Sequence, residues 1–210
     1  MIQTFHAGMM TAVLSRLGVT PLDGSRYSRK QLYNVELKNG LNFHKIMRVI
    51  YTSYDRRRMV DIVRPDSRPN VILYSRDPNS KHPFLYAQVI KIIHVEARVS
   101  GSNAPFQRVD LLWVRWYLHN SGLNRPISGF SKRRLHKVYF PALSTQNAFG
   151  FIDPNSVLRG IHIIPDFNSG RKDVDYVGQT IGKSQFSDYR SFNVNQFVIL
   201  AVYPNSSLTS

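Results

Sequence analysis

The chain has 210 residues and a formal net charge of +15, from 28 Lys and Arg against 13 Asp and Glu, and 42% of its residues are hydrophobic. This length and apolar content suffice for one folded domain, which excludes wholesale disorder. The absence of cysteine excludes disulfide frameworks, thiolate metal sites and cysteine nucleophiles. The longest apolar run, residues 197–203, is far shorter than the roughly 18–20 residues that cross a bilayer, so we expect no membrane span.

The excess of basic residues is the strongest compositional signal. The cations are 19 Arg and nine Lys, and arginine forms forked, bidentate contacts with phosphate and carboxylate groups. We therefore expect a polyanionic partner, nucleic acid above all. Membrane headgroups are the alternative that charge alone leaves open.

The residue types favour strands over helices. The chain has only two glutamates and eight alanines, whereas β-branched and aromatic residues are plentiful. Residues 1–42 predict a peripheral leader with a short helix over about residues 3–17. The alternating pattern of residues 43–54 predicts a half-buried strand, and residues 71–74 predict a short strand between proline-containing loops.

The strongest strand pattern covers residues 84–99, where apolar side chains recur at every second position. Because sixteen residues is long for one strand, we expect a bulge near Lys91. After a turn at residues 101–105, residues 108–117 predict its antiparallel partner. We expect one core shared by Val89, Ile93, Leu112, Val114, Trp116 and Ile163.

The remaining segments complete a mainly β, small barrel-like domain with a short N-terminal helix and loop-rich ends. Residues 161–164 predict a short strand that follows a turn at Asp153-Pro154. The polar, glycine-rich residues 168–189 predict loop. The predicted organisation is a peripheral leader at residues 1–42, a barrel-like β domain at residues 43–167, and a loop-rich C-terminal extension at residues 168–210.

No pattern of catalytic residues emerges from the sequence. Residues 178–184 are one residue short of the spacing of a phosphate-binding loop. The seven histidines lack metal-ligand spacing, and Asp61, Asp110 and Asp153 lie in unrelated contexts. We expect no enzymatic activity, no metal, no cofactor and no small-molecule substrate.

Two groups of cations form the candidate nucleic-acid-binding site. Residues 43–76 contain eight Lys and Arg against three Asp, and residues 125–137 contain five cations and no acid. We assign phosphate contact to Arg56, Arg57, Arg58, Lys132, Arg133, Arg134 and Lys137. A merely solvated charged surface is the alternative. Trp113 and Tyr117, beside Arg115, are a candidate aromatic platform for a base or a methylated cation.

Five segments of the chain follow one another in a specific order. They are RVIYTSYDRRR (48–58), HPFLYAQVIKIIH (82–94), LWVRWY (112–117), SGFSKRRLHK (128–137) and AFGFIDPNSVLRGIHIIP (148–165). Together with residues 193–198, this order resembles the C-terminal region of fungal Plavaka-type (CACTA-like) transposase-derived proteins. The resemblance implies a nuclear, transposon-derived protein. Because the transposase core of such proteins lies upstream, catalysis is not carried over, a transposase core is a candidate partner, and we expect a fragment or a decayed copy.

A second similarity concerns the fold. The strand at residues 86–92, the hairpin into residues 113–117 and the segment after Asp153-Pro154 stand in the order of elements in bromo-adjacent homology domains, which are small chromatin-reading β-barrels. This similarity implies recognition of a histone tail or nucleosome. The sequence thus predicts a non-catalytic nucleic-acid or chromatin-binding module, and the alternative is a structural or protein-interaction accessory domain of a transposase.

Overall fold

The computed structural model describes residues 2–22, 24, 26–53, 56–80, 82–119, 135–145, 148–171 and 189–195. Over these residues the chain is mainly β, as predicted, with a sheet that curls into a half-barrel and a short N-terminal helix. The helices are α1 (Ile2–Arg16) and α2 (Arg29–Tyr33). The strands are β1 (Val35–His44), β2 (Met47–Thr52), β3 (Arg58–Val63), β4 (Asn70–Tyr74), β5 (Phe84–Val99), β6 (Gln107–His119), β7 (Lys137–Tyr139), β8 (Phe149–Ile152), β9 (Val157–Gly160), β10 (Ile163–Pro165) and β11 (Phe192–Val194).

The main sheet has the strand order β10-β11-β7-β6-β5-β4-β9, with β1 also paired to β5 and β8 also paired to β6. Its centre is the long antiparallel pair β5–β6, which runs from Tyr86 opposite Tyr117 to Ala97 opposite Gln107. This pair confirms the strongest sequence prediction. Strands β2 and β3 pair with each other in a separate two-stranded sheet.

A bulge interrupts β5 where the sequence predicts one, because the register with β6 shifts between Val89 and Lys91. Before the bulge, Val89 faces one side of the sheet and packs with Leu112. After it, Ile93 packs on the opposite side. The extra residue inverts the side to which odd-numbered residues point, so the single apolar face predicted for this strand is wrong.

The buried side chains form three clusters. The first, beneath α1, contains Met9, Met10, Val13, Ile90, Ile93, Val95, Ala97, Val109, Leu111 and Trp113. The second, on the other face, contains Val49, Val63, Val71, Leu73, Ala87, Val89, Ile92, Leu112, Val114 and Val157. The third, inside the curl, contains Ile72, Tyr86, Tyr117, Val138, Phe140, Ile161, Phe192 and Val194.

The predicted single core is therefore divided. Val89, Leu112 and Val114 belong to the second cluster, with Trp116 partly buried against it. Ile93 belongs to the first cluster, and Ile163 packs against the third. Of the two tryptophans, Trp113 is the more buried, which reverses the expectation that Trp116 is the core residue.

The N-terminal segment is not peripheral, although its predicted helix is confirmed. Met9, Met10, Val13 and Leu14 of α1 are all buried. The helix ends at Arg16, and Gly18, two residues later, takes a φ of 75° that allows the backbone to reverse. Strand β1 then pairs with β5, and β11 of the predicted extension pairs with β7 and β10. The boundaries predicted near residues 43 and 167 therefore cut through one sheet.

Within the described ranges, no helix has the length and apolar character needed to span a membrane.

Candidate nucleic-acid interface

Strands β2 and β3 form a two-stranded antiparallel ribbon, here called the β-ribbon. Its register runs from Met47 opposite Val63 to Thr52 opposite Arg58. Side chains alternate across such a ribbon, and on the inward side Val49 and Val63 are buried in the second cluster. The other side of the β-ribbon faces outward.

The outward face combines an apolar centre with basic ends. Three cross-strand pairs make it up: Arg48 with Ile62, Ile50 with Val60, and Thr52 with Arg58. The apolar members are more exposed to solvent than is usual for such side chains, with Ile50 55% exposed, Val60 51% and Ile62 41%. The result is a narrow apolar strip with an exposed arginine at each end.

An ionic contact holds the base of the β-ribbon to the main sheet. The Asp61 carboxylate accepts hydrogen bonds from Nε of Arg159 at 3.2 Å and from the Gly160 backbone N–H at 3.1 Å. The guanidinium of Arg159 lies 3.8 Å from the centre of the Tyr51 ring. Burial and the Asp61 carboxylate raise the pKa of the Tyr51 hydroxyl, which therefore stays protonated at neutral pH.

The distribution of acids makes the β-ribbon positive. Ion pairs join Glu36 to Arg98, Asp61 to Arg159, Glu96 to Lys38, Asp110 to Arg108, Asp153 to Arg16 and Asp166 to Lys137. These contacts compensate most of the acids in the described part of the chain. By contrast, no described acid forms an ion pair with Arg48, Arg58 or Arg64. The uncompensated positive charge therefore includes both ends of the outward face.

The first predicted cation group lies at the tip of the β-ribbon. Arg56, Arg57 and Arg58 are all exposed. The backbone carbonyl of Arg57 accepts hydrogen bonds from the N–H and the hydroxyl of Ser53, at 2.8 and 3.0 Å, which closes the turn. Arg56 takes up a left-handed backbone conformation with φ of 60°. These three residues are placed where a partner could reach them.

The second predicted cation group is only partly described. Lys132, Arg133 and Arg134 lie outside the described residues, as do residues 178–184. Lys137 lies in β7, and its ammonium is 2.6 Å from the Asp166 carboxylate. Hydrogen bonds from Lys137 and from Ser191 lower the pKa of Asp166. This carboxylate compensates the charge of Lys137 within the chain, and the assignment of Lys137 to phosphate contact stays a prediction.

The burial of Trp113 and Tyr117 corrects the candidate aromatic platform. Trp113 is 9% exposed and Tyr117 is 6% exposed, in the first and third clusters respectively. The Tyr117 ring stacks on Phe140 with centroids 4.1 Å apart, and its hydroxyl donates to Asn70. Protein atoms cover both rings, so the two do not form an open surface for stacking. Arg115 between them is buried as well, and burial lowers the pKa of its guanidinium.

Sequence reasoning missed the outward face of the β-ribbon. It predicted one strand at residues 43–54 and assigned none to residues 58–63. The alternation in residues 58–63 was the available signal, since it places Arg58, Val60 and Ile62 on one side. In the part of the chain that the structure describes, no group of three or more His, Cys, Asp or Glu is arranged to hold a metal ion.

No family model matches the chain, and neither a curated protein nor a solved structure matches it. The geometry and charge of the β-ribbon are therefore the basis for a functional proposal.

Proposed function

We propose that this chain is a non-catalytic nucleic-acid-binding module that docks the outward face of its β-ribbon against a duplex. The observation that carries the proposal is the face itself, a two-stranded ribbon with Arg48 and Arg58 at the ends of an exposed apolar strip. The major groove of B-form DNA, about 12 Å wide, admits a two-stranded ribbon. Arginine is also the side chain best suited to bidentate contacts with phosphates and guanine edges.

The rest of the face fits the same partner. Ile50 and Val60 can contact thymine methyl groups and sugars, which are apolar. The turn that carries Arg56 and Arg57 projects beyond the strands and can reach the phosphate backbone. Because most of these contacts would be to phosphates, we expect weak sequence preference and strong dependence on salt.

Chromatin in the nucleus is the setting that we propose for this binding. It rests on the order of motifs that resembles transposase-derived proteins and on the similarity to bromo-adjacent homology domains. One observation favours the alternative of an accessory domain that binds a transposase core. The exposed strip of Ile50, Val60 and Ile62 is apolar, and clustered exposed apolar residues are typical of protein–protein contact.

The proposal is tested by the salt dependence of binding to a fluorescently labelled duplex. We expect a slope in the log–log plot of affinity against salt of about −0.9 for each phosphate contact. The triple variant Arg48→Gln/Arg56→Gln/Arg58→Gln should flatten that slope by about two to three, since it removes three contacts. Its thermal stability should be unchanged, because exposed charges contribute little to folding.

The matched control is the triple variant Arg26→Gln/Arg29→Gln/Lys30→Gln, which removes the same charge from exposed residues at α2. It should leave the slope nearly unchanged. The proposal fails if the wild type does not bind duplex DNA at low salt, or if both triple variants flatten the slope equally. Loss of binding to a recombinant transposase core in an Ile50→Ser/Val60→Ser variant, with DNA binding unaffected, would support the accessory-domain alternative.

A further inference from the structure

Two histidine side chains from distant parts of the chain meet beside the start of β5. His82 precedes β5, and His136, 54 residues later, precedes β7. Nε2 of His82 lies 3.0 Å from Nδ1 of His136. We call these two residues the His82–His136 pair. Because the fold brings them together, a search of the sequence for the spacing of metal ligands does not find them.

Hydrogen bonds hold both rings of the pair in place. The Ser80 hydroxyl donates to the His82 carbonyl at 2.7 Å. The Val194 N–H donates to the His136 carbonyl at 2.9 Å. Nδ1 of His82 lies 3.1 Å from the carbonyl oxygen of Phe84 and 3.2 Å from its nitrogen. Either of these contacts fixes the ring through Nδ1 and leaves Nε2 directed at His136.

Hydrogen bonding alone does not satisfy the pair. Nδ1 of His136 also lies 3.0 Å from the hydroxyl of Tyr86, which is a fully buried residue. An imidazole nitrogen carries either one proton or one lone pair, so Nδ1 cannot form a full hydrogen bond with both His82 and Tyr86. If Tyr86 donates to Nδ1, then Nε2 of His82 either competes for the same lone pair or faces it with its own. A cation shared by the two ring nitrogens would remove this conflict.

The distance between the two nitrogens fits a single metal ion. Two nitrogens that bind one ion at roughly 2.0–2.1 Å lie about 2.9 Å apart at a right angle and about 3.4 Å apart at the tetrahedral angle. The separation of 3.0 Å in the His82–His136 pair lies within this range. By contrast, Nε2 of His44 lies only 2.6 Å from Nδ1 of His94, which is too close. His44 and His94 are therefore a comparison within the same chain.

His119 lies beside the pair but is not placed as a ligand. Its ring stacks on the ring of His82 with centroids 3.8 Å apart, whereas a ligand directs the edge of its ring at the ion. Its Nε2 donates to the Phe84 carbonyl at 3.0 Å, and protein atoms cover its Nδ1. This agrees with the finding that no three such residues in the described chain are arranged around one ion.

We propose that the His82–His136 pair binds one divalent transition-metal ion. Nε2 of His82 and Nδ1 of His136 are the ligands, and water completes the coordination. Imidazole nitrogen suits Zn²⁺, Cu²⁺ and Ni²⁺, whereas Mg²⁺ and Ca²⁺ prefer oxygen ligands. With Nε2 bound to the ion, the proton of His82 lies on Nδ1 and is donated to the Phe84 carbonyl, as is typical of histidine ligands. The Tyr86 hydroxyl then donates to a water on the ion.

The bound ion would act as a clamp between the start of β5 and the start of β7. Strand β7 has three residues, and it pairs with β6 at two positions and with β11 at two positions. A ligand that binds only the folded chain stabilises it. We therefore expect Zn²⁺ to slow amide hydrogen exchange in β7 and β11.

The test is calorimetric titration with Zn²⁺ of the untagged chain, which is first treated with a chelator and then freed of it. Mg²⁺ is the comparison. We expect one-to-one binding of Zn²⁺, no binding of Mg²⁺, and a melting temperature that rises with the concentration of Zn²⁺. His82→Gln and His136→Gln should each weaken Zn²⁺ binding by about tenfold or more, because even the loss of a group that supports a ligand costs about 10–100-fold.

The matched control is the double variant His44→Gln/His94→Gln, which removes the other two contacting rings and should leave Zn²⁺ affinity unchanged. Full affinity in both His82→Gln and His136→Gln would overturn the proposal. Absence of Zn²⁺ binding to the wild type would also overturn it, and the three contacting side chains would then be a hydrogen-bonded group only.

NMR of the histidine ring nitrogens tests the same site without a substitution, so the proposal stays testable if a variant does not fold. In the isotope-labelled wild type, Zn²⁺ should shift the signals of Nε2 of His82 and Nδ1 of His136 and leave those of His44 and His94 unchanged. Shifts confined to other histidines would show that the inference is wrong. Duplex DNA enters none of these measurements, so their result is independent of the proposed function.

Discussion

Gly150 in β8 lies against the indole ring of Trp116, and the contact leaves no room for a side chain. A Cβ atom at this position would stand 2.6 Å from Nε1 of Trp116. We therefore expect Gly150→Ala to destabilise the protein by about 1–3 kcal/mol, the usual cost of overpacking a fitted site. Denaturant unfolding measures this change as a lower midpoint with an unchanged slope.

A matched control is Gly8→Ala in α1. Its Cβ would lie 3.4 Å from the Phe151 ring, an ordinary contact, and alanine favours the helix by about 1 kcal/mol over glycine. This variant should be neutral or stabilising. In a Trp116→Leu background, the cost of Gly150→Ala should largely disappear. A full cost in that background would show that the indole is not the obstacle.

The two tryptophans show what the alternation of apolar residues along a strand can predict and what it cannot. Trp113 and Trp116 lie on opposite faces of β6, and alternation correctly separates them. It cannot say which face is better covered, because α1 covers one face and the β-ribbon the other. When both faces of a strand are covered, apolar residues occur on both, and the pattern no longer identifies the inside.

Strands β5 and β6 could be predicted from sequence, but β1 could not. Residues 39–40 are Asn-Gly, a pair typical of turns, and both take positive φ values of 60° and 74°. In the structure they sit inside β1, where its register with β5 shifts between Lys38 and Asn42. The pair therefore forms an irregularity within a strand. Pairing with β5 stabilises that strand, and a prediction from the local sequence cannot include this tertiary effect.

The attachment of the β-ribbon depends on the ionic contact of Asp61 with Arg159. Asp61→Asn keeps the shape but removes the charge that compensates a largely buried guanidinium, since the Arg159 side chain is 11% exposed. We expect a loss of about 1–3 kcal/mol, the range for hydrogen bonds to charged groups. Amide hydrogen exchange should accelerate in β2 and β3, with little change in β5 and β6.

The control for this prediction is Asp110→Asn, which removes the partner of Arg108 in an exposed pair. Exposed ion pairs contribute little, so exchange in the β-ribbon should stay at the wild-type rate. Equal protection of the β-ribbon in Asp61→Asn and in the wild type would show that the apolar contacts of Val49 and Val63 hold it alone.

At the scale of the whole molecule, the sequence revealed the sign of the charge but only part of its arrangement. Arg56, Arg57 and Arg58 are adjacent in the chain, so their grouping could be predicted directly. Arg48 joins them only through the pairing of β2 with β3.

Three histidines lie together beside the ends of β5, β6 and β7. His82 precedes β5, His119 ends β6 and His136 precedes β7. The rings of His82 and His119 stack with centroids 3.8 Å apart, and Nε2 of His82 lies 3.0 Å from Nδ1 of His136. The Tyr86 hydroxyl lies 3.0 Å from the same Nδ1 atom. Protonating any of these rings would place a positive charge in a half-buried site, next to other histidines that can also become positively charged.

This group predicts a stability that depends on pH. Burial, and then the proximity of His119, lower the pKa of His82 from 6.5 to about 4, and burial also lowers the pKa values of His119 and His136. The unfolded chain therefore binds more protons than the folded chain between about pH 6.5 and pH 4, so stability should fall as the pH falls through this window. Asp166 acts in a separate pH window, because its pKa is lowered and its contribution to folding stability is lost only below pH 3.8.

Urea unfolding at pH 7.5 and at pH 5 measures the difference in stability between the two pH values. His82→Asn should reduce this difference, and the exposed His6→Asn should not. Equal stability of the wild type at both pH values would show that the three rings can take up protons without destabilising the fold.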